Sequence, residues 1–175
     1  MNPHEIVSML DKHARWLGSR PGGARADFGM KDLQGFVFAK ADLRQAKLPG
    51  TNLMLCNFAD ANLTDADLFA ACLIRADLTR ADLTRADLRG AVLREAKLKN
   101  TILRECDLRG GSLLDAKTHE PIAFRQSSLE DANLESAILA RANLSGADLS
   151  RATLIDCDCR GAQMAGTNLL RANLR

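Results

Sequence analysis

The chain has 175 residues, and its 24 Lys and Arg nearly balance 22 Asp and Glu, so a formal charge of +2 excludes a strongly acidic or strongly basic molecule. Six Phe, one Trp and no Tyr leave little aromatic surface, and no apolar run approaches the roughly 18 residues of a membrane span. With no apolar leader core near Glu5 and Asp11, these bounds predict a single cytoplasmic domain without membrane attachment.

Residues 2–17 are expected to form an amphipathic helix. Asn2 suits the N-cap, Pro3 the first turn, and Glu5 completes a capping box. Ile6, Leu10, His13 and Leu17 share one stripe, with Met9 and Trp16 beside it. Gly18 ends the helix, and residues 19–23 turn the chain onward. Covering the exposed first turn of a repeat array is the expected task. A membrane-surface or partner-binding helix is the alternative, and the scarcity of basic residues on its polar side weighs against it.

From Phe28 a five-residue unit takes over, cleanest in Ala76-Asp77-Leu78-Thr79-Arg80, Ala81-Asp82-Leu83-Thr84-Arg85 and Ala86-Asp87-Leu88-Arg89-Gly90. A helix with this period would smear its leucines around the cylinder. A continuous strand would send successive leucines to opposite faces. A short extended piece followed by a bend reconciles the pattern: small residue and Leu, two apart, point inward, and the Asp or Asn between them points outward. Bends of one hand wind the chain into a solenoid whose coils pair through the backbone. Cys56, Cys106 and Cys157 fall in the small inward slot and Cys159 replaces an inward Leu, so they read as reduced core residues. The pair Cys157 and Cys159 lacks the further ligands that a metal site needs.

The pattern A-(D/N)-L-X-X resembles the pentapeptide-repeat family from Arg25 to the end of the chain, and the stretch His13, Trp16-Leu17, Gly23, Arg25-Ala26-Asp27-Phe28 looks like the leader of its bacterial members. The resemblance implies an all-β solenoid, a right-handed quadrilateral β-helix with four units per coil. The expected organisation is a capping helix and turn over 1–24 and one β-helix over 25–175.

One register runs to Leu113 and a second from Leu129, sixteen residues later rather than fifteen. Ile122-Ala123-Phe124-Arg125-Gln126 reads as a unit of the second register, which places a one-residue bulge within 118–121, at Thr118-His119-Glu120-Pro121. The second register continues to Leu174. An open last coil is expected to expose Leu169, Leu170 and Leu174 and to pair with a second copy as a homodimer.

No catalytic, cofactor-binding or metal-binding constellation is legible. His4, His13 and His119 are dispersed, and carboxylates five apart fall on successive sides of the coil. Function is therefore expected on the outer walls. Stacking by twenty residues, or twenty-one across the bulge, predicts an apolar interface of Met54, Leu55, Ile74, Leu114 and Ile155. The same arithmetic predicts a basic patch of Arg89, Arg104, Arg109 and Arg125.

The leading expectation is a non-enzymatic interaction protein that binds a macromolecular partner, most simply a protein. The resemblance implies an alternative, because some members imitate duplex DNA, bind type II topoisomerases such as gyrase and confer quinolone resistance. The balanced charge and the recurrent outward Arg argue against such a mimic. Missing Tyr and near-neutral charge argue against direct nucleic-acid binding.

Overall fold

Each five-residue unit builds one short extended piece and one corner. In the unit starting at Ala81, Asp82 bridges Asn62 on one side and Ile102 on the other, both in parallel. The Asp82 N–H donates to the Ala61 carbonyl at 2.9 Å, and the Leu83 N–H donates to that of Ile102 at 2.7 Å. Partners lie twenty residues apart, so four units complete one coil. Ala81 and Leu83 are fully buried. Arg85 at the corner has φ 58°, a left-handed conformation uncommon outside Gly. The outward Asp82 holds it there: its Oδ1 accepts the Thr84 N–H at 2.9 Å. Asp42, Asn62, Asp77 and Asn143 make the same turn with the N–H two residues on. Sequence reasoning gave the outward Asp or Asn no task, yet it sets the corner.

The computed structural model describes residues 1–114 and 121–175, and the side chains of these except 112–114 and 121–125. Stacked Leu and Ala fill the tube, and three Phe widen its first coils, with Phe38 and Phe58 stacked at 5.1 Å. Polar groups in the small inward slot find partners one coil away. Thr51 Oγ1 donates to the Phe28 carbonyl at 2.8 Å, Thr101 Oγ1 to that of Leu78 at 2.7 Å, and Cys56 Sγ to that of Leu33 at 2.9 Å. The corner N–H already binds each of these carbonyls, so the side chain takes the second lone pair.

The helix α1 spans Pro3–Leu17. Asn2 Oδ1 accepts the Glu5 N–H at 2.8 Å and Glu5 Oε2 accepts the Asn2 N–H at 2.9 Å, completing the capping box. Its apolar stripe buries Ile6 and packs Met9 and Leu10 against the solenoid core. His13 is also buried, and its Nδ1 accepts the Ala26 N–H at 3.2 Å. Elsewhere the N–H in this slot donates to the inward residue three earlier, as Ala46 does to Leu43, so α1 supplies a partner that a preceding unit would otherwise provide. Lys31, in a small slot of the first coil, keeps its side chain exposed. Among the described residues, no helix is long and apolar enough to cross a membrane.

The register differs from the expected one-residue bulge. Pairing at twenty residues holds through Asp87 and Asp107, whereas Val92 bridges Ser128, Ile102 bridges Ile138 and Asp107 bridges Asn143. The offset there is 36 residues, which inserts 111–126 at one corner. Part of the insertion is an antiparallel pair, β1 (Gly111–Leu114) and β2 (Pro121–Arg125), with Leu113 opposite Ala123. Ile122-Ala123-Phe124-Arg125 is thus hairpin strand rather than coil, although it carries the pentad pattern. Thr118, His119 and Glu120 of the expected bulge lie outside the described residues. Ser127 Oγ closes the gap, accepting the Gly90 N–H at 2.9 Å and lying 2.7 Å from the Arg109 carbonyl.

Candidate outer-wall binding surfaces

The offset of 36 residues redraws the outer walls. Face A carries Leu33, Leu53, Leu73, Leu93 and Leu129 inside, and its outer column runs Met54, Ile74, Arg94 and Glu130. The predicted apolar column is therefore split. Met54 and Ile74 are neighbours, and the carbonyl of Ile74 accepts the N–H of Leu55, whose side chain is 51% exposed at the adjoining corner. Cys72 beside them bridges Val92, which extends the apolar strip along the wall. Ile155 lies on the next wall, face B, in the column of Lys99 and Glu135. Leu114 belongs to β1.

The predicted basic patch is also divided. Arg89 and Arg109 stack on face D, Arg104 lies on face C, and Arg125 is in β2. Arg89 grips Asp87 through two bonds of 2.9 and 2.6 Å, and Arg109 grips Asp107 at 3.0 and 2.7 Å. Burial pushes the Asp107 carboxyl up, but the Arg109 hydrogen bonds and the charges of Arg109 and Arg89 together outweigh it and hold the group below its ordinary pKa. Corners are laced in the same way between coils, with Arg80 paired to Asp60, Arg85 to Asp65 and Arg151 to Asp131. Most of the basic charge on these walls is thus matched locally by carboxylates.

On face C one arginine, Arg104, departs from this rule. Within a unit, Asp two before Arg forms a bidentate clamp, as in Asp42 with Arg44 and Asp158 with Arg160. Arg104 follows Ile102 instead, and it makes no side-chain hydrogen bond or ion pair among the described residues. Ile138 bridges Ile102 in the next coil and places Ala140 beside Arg104. Arg160 follows one coil further on. A cavity of about 350 Å³ lies between them, lined by Arg104, Glu105, Ala140, Arg141 and Arg160. The Arg160 clamp and, more weakly, the charge of Arg104 pull the Asp158 carboxyl down to about 2. The missing Asp at Ile102 was readable in sequence, whereas the neighbours Ala140, Arg141 and Arg160 required the true register.

The last coil leaves Leu170 67% and Leu174 62% exposed, with Leu169 half-buried. All five cysteines are free thiols. Burial raises the pKa of Cys56 and of Cys157 to about 11 each. Among the described residues no group of three or more His, Cys, Asp or Glu could hold a metal ion.

No curated protein matches the sequence significantly. Among solved structures, a pentapeptide repeat protein from the Arabidopsis thaliana thylakoid lumen is 25% identical with a TM-score of 0.54, over 66% of this chain and 69% of that one. A trypsin-treated form of QnrB1, a plasmid-mediated fluoroquinolone resistance protein, is 20% identical with a TM-score of 0.64, over 85% of this chain and 67% of that one. A second such form reaches 24% identity and a TM-score of 0.57, over 86% and 80%. These neighbours make the solenoid a right-handed β-helix. The model of pentapeptide repeats matches eight copies, over residues 37–73, 71–110, 123–154 and 152–175. Unit by unit, from the inward Leu to the Asx-turned corner, the chain belongs to the pentapeptide-repeat family.

Proposed function

We propose that this protein is a non-enzymatic scaffold that binds a partner protein through the outer wall of a quadrilateral coil. The observation that carries this reading is the apolar strip of face A, where Met54, Leu55, Cys72, Ile74 and Val92 adjoin on one outer wall. The tube itself is filled, so binding energy must come from the walls. In a pull-down from the native host, Met54→Asp with Ile74→Asp is expected to release a specific partner and leave the circular dichroism spectrum unchanged. Retention of the partner by that double variant would remove face A from consideration. No cofactor or membrane enters this reading.

The last coil is a second contact surface in the same proposal. The backbone N–H groups of Leu169 and Leu174 make no hydrogen bond among the described residues. With exposed Leu170 and Leu174 they form an edge suited to a second copy of this chain. Light scattering of Leu170→Glu with Leu174→Glu should then report a smaller particle than the parent.

The alternative is a DNA mimic acting on gyrase, as the fluoroquinolone-resistance role in the name of QnrB1 suggests. A mimic of duplex phosphate needs a dense array of carboxylates. Here the clamped pairs cancel charge locally, which favours the scaffold. Protection of gyrase in a supercoiling assay would reverse that order.

A further inference from the structure

Face C carries a contact that the scaffold reading leaves unassigned. Arg104 is a cation released by sequence, because Ile102 stands where Asp42, Asp87, Asp107 and Asp158 clamp the arginine two residues on. Ala140 lowers the wall beside it, and Arg160 rises on the far side, roughly 10 Å away at two coil spacings. Arg141 closes the corner, held loosely at 3.6 Å by Glu105. Half-buried Ile102 and Ile138 run together along one edge of this notch.

We propose that this notch docks a protein segment in which a carboxylate lies beside an apolar side chain. The carboxylate would pair with the Arg104 guanidinium over Ala140, where a planar fork of donors matches two oxygens. The apolar neighbour would cover Ile102 and Ile138. Glu105 and Asp158 confine the positive potential to a small spot, which suits a single carboxylate better than a run of phosphates. The proposal rests on the reading that an outer wall binds a partner, and it adds a second wall and the chemistry that wall recognises.

The test uses the full chain and fluorescent synthetic peptides of alternating Leu and Glu, with Leu-Lys peptides and a short DNA duplex as competitors. The Leu-Glu peptide should bind and weaken with added salt. Arg104→Ala and Ala140→Glu should each weaken it about tenfold or more, by removing or neutralising the free cation. Arg44→Ala, at a clamped arginine outside the notch, should leave binding unchanged. Both notch positions point outward, so unchanged thermal melting will separate lost binding from lost fold. No binding of the Leu-Glu peptide, equal binding by the Ala140→Glu variant, or preference for the duplex would each overturn the proposal. Met54→Asp with Ile74→Asp should not affect this peptide, so failure on face A and failure in the notch are read separately.

Discussion

Gly111 lies against the ring of Phe69, so close that a β-carbon on Gly111 would fall 2.6 Å from the ring edge and 3.2 Å from the Arg89 carbonyl. The Arg89 guanidinium also lies over that ring, 5.6 Å from the centroid. Phe69 therefore seats the root of the hairpin on face D. Gly111→Ala is expected to cost about 1–3 kcal/mol through overpacking. In a Phe69→Ala background most of that cost should vanish. Denaturant unfolding of the four proteins of the cycle measures the coupling directly.

The 36-residue offset makes a sharper demand. Joining Gly110 to Ser127 would place Leu129 five residues after Leu108 and restore an uninterrupted pentad. A variant lacking 111–126 should therefore fold with the same circular dichroism spectrum and a comparable unfolding midpoint, because the excised strands pair with each other rather than with the coils. Under the one-residue bulge reading the same excision would remove most of a coil and slide every later wall by one side. Collapse of the cooperative transition would support the one-residue bulge.

His13 gives the docking of α1 a pH dependence. Its Nδ1 accepts the Ala26 N–H, so the neutral ring carries its proton on Nε2, which has no partner among the described residues. Burial lowers the pKa of this imidazole below the ordinary 6.5, with the charges of Arg25 and Arg44 acting the same way, while the Arg44 backbone and Asp42 oppose them. The unfolded chain thus binds the proton more readily than the folded one, and stability rises with pH through this window. The contribution is complete above about pH 6.5 and declines as pH falls from there toward the lowered folded value. Trp16, the single Trp, stacks on His13 at 5.6 Å and reports the change. Its fluorescence and the melting temperature should both move below pH 6.5, and His13→Phe should flatten that response.

Thiol chemistry separates inward from outward cysteines. Cys56 and Cys106 are buried with raised pKa values, so little thiolate exists at neutral pH to attack a reagent. Cys72 points outward on face A and is half-exposed. In the native protein an aromatic disulfide reagent should label Cys72 well before Cys56 or Cys106, which should react only on unfolding. Mass spectrometry of partially labelled protein locates the adduct. Early labelling of Cys106 would contradict the assigned interior.

Much of the architecture was written locally. In Ala81-Asp82-Leu83-Thr84-Arg85, alternation fixes which side chains point inward, and Asp82 bends its own backbone two residues on. Both effects act within one unit, so the sequence by itself determined a cornered solenoid, its filling, the capping box of α1 and the inward cysteines. Which unit lies over which was decided only by the tertiary structure. Ile122-Ala123-Phe124 satisfies the inward pattern as well as a true coil does, yet it pairs with β1 instead. A pentad pattern specifies direction, not partner, and a hairpin at one corner costs the ladder nothing because coils on either side still meet backbone to backbone. That choice moved Leu114, Ile155 and Arg125 off the walls expected for them and set Ala140, Arg141 and Arg160 beside Arg104, because a column on an outer wall exists only once the coils are stacked.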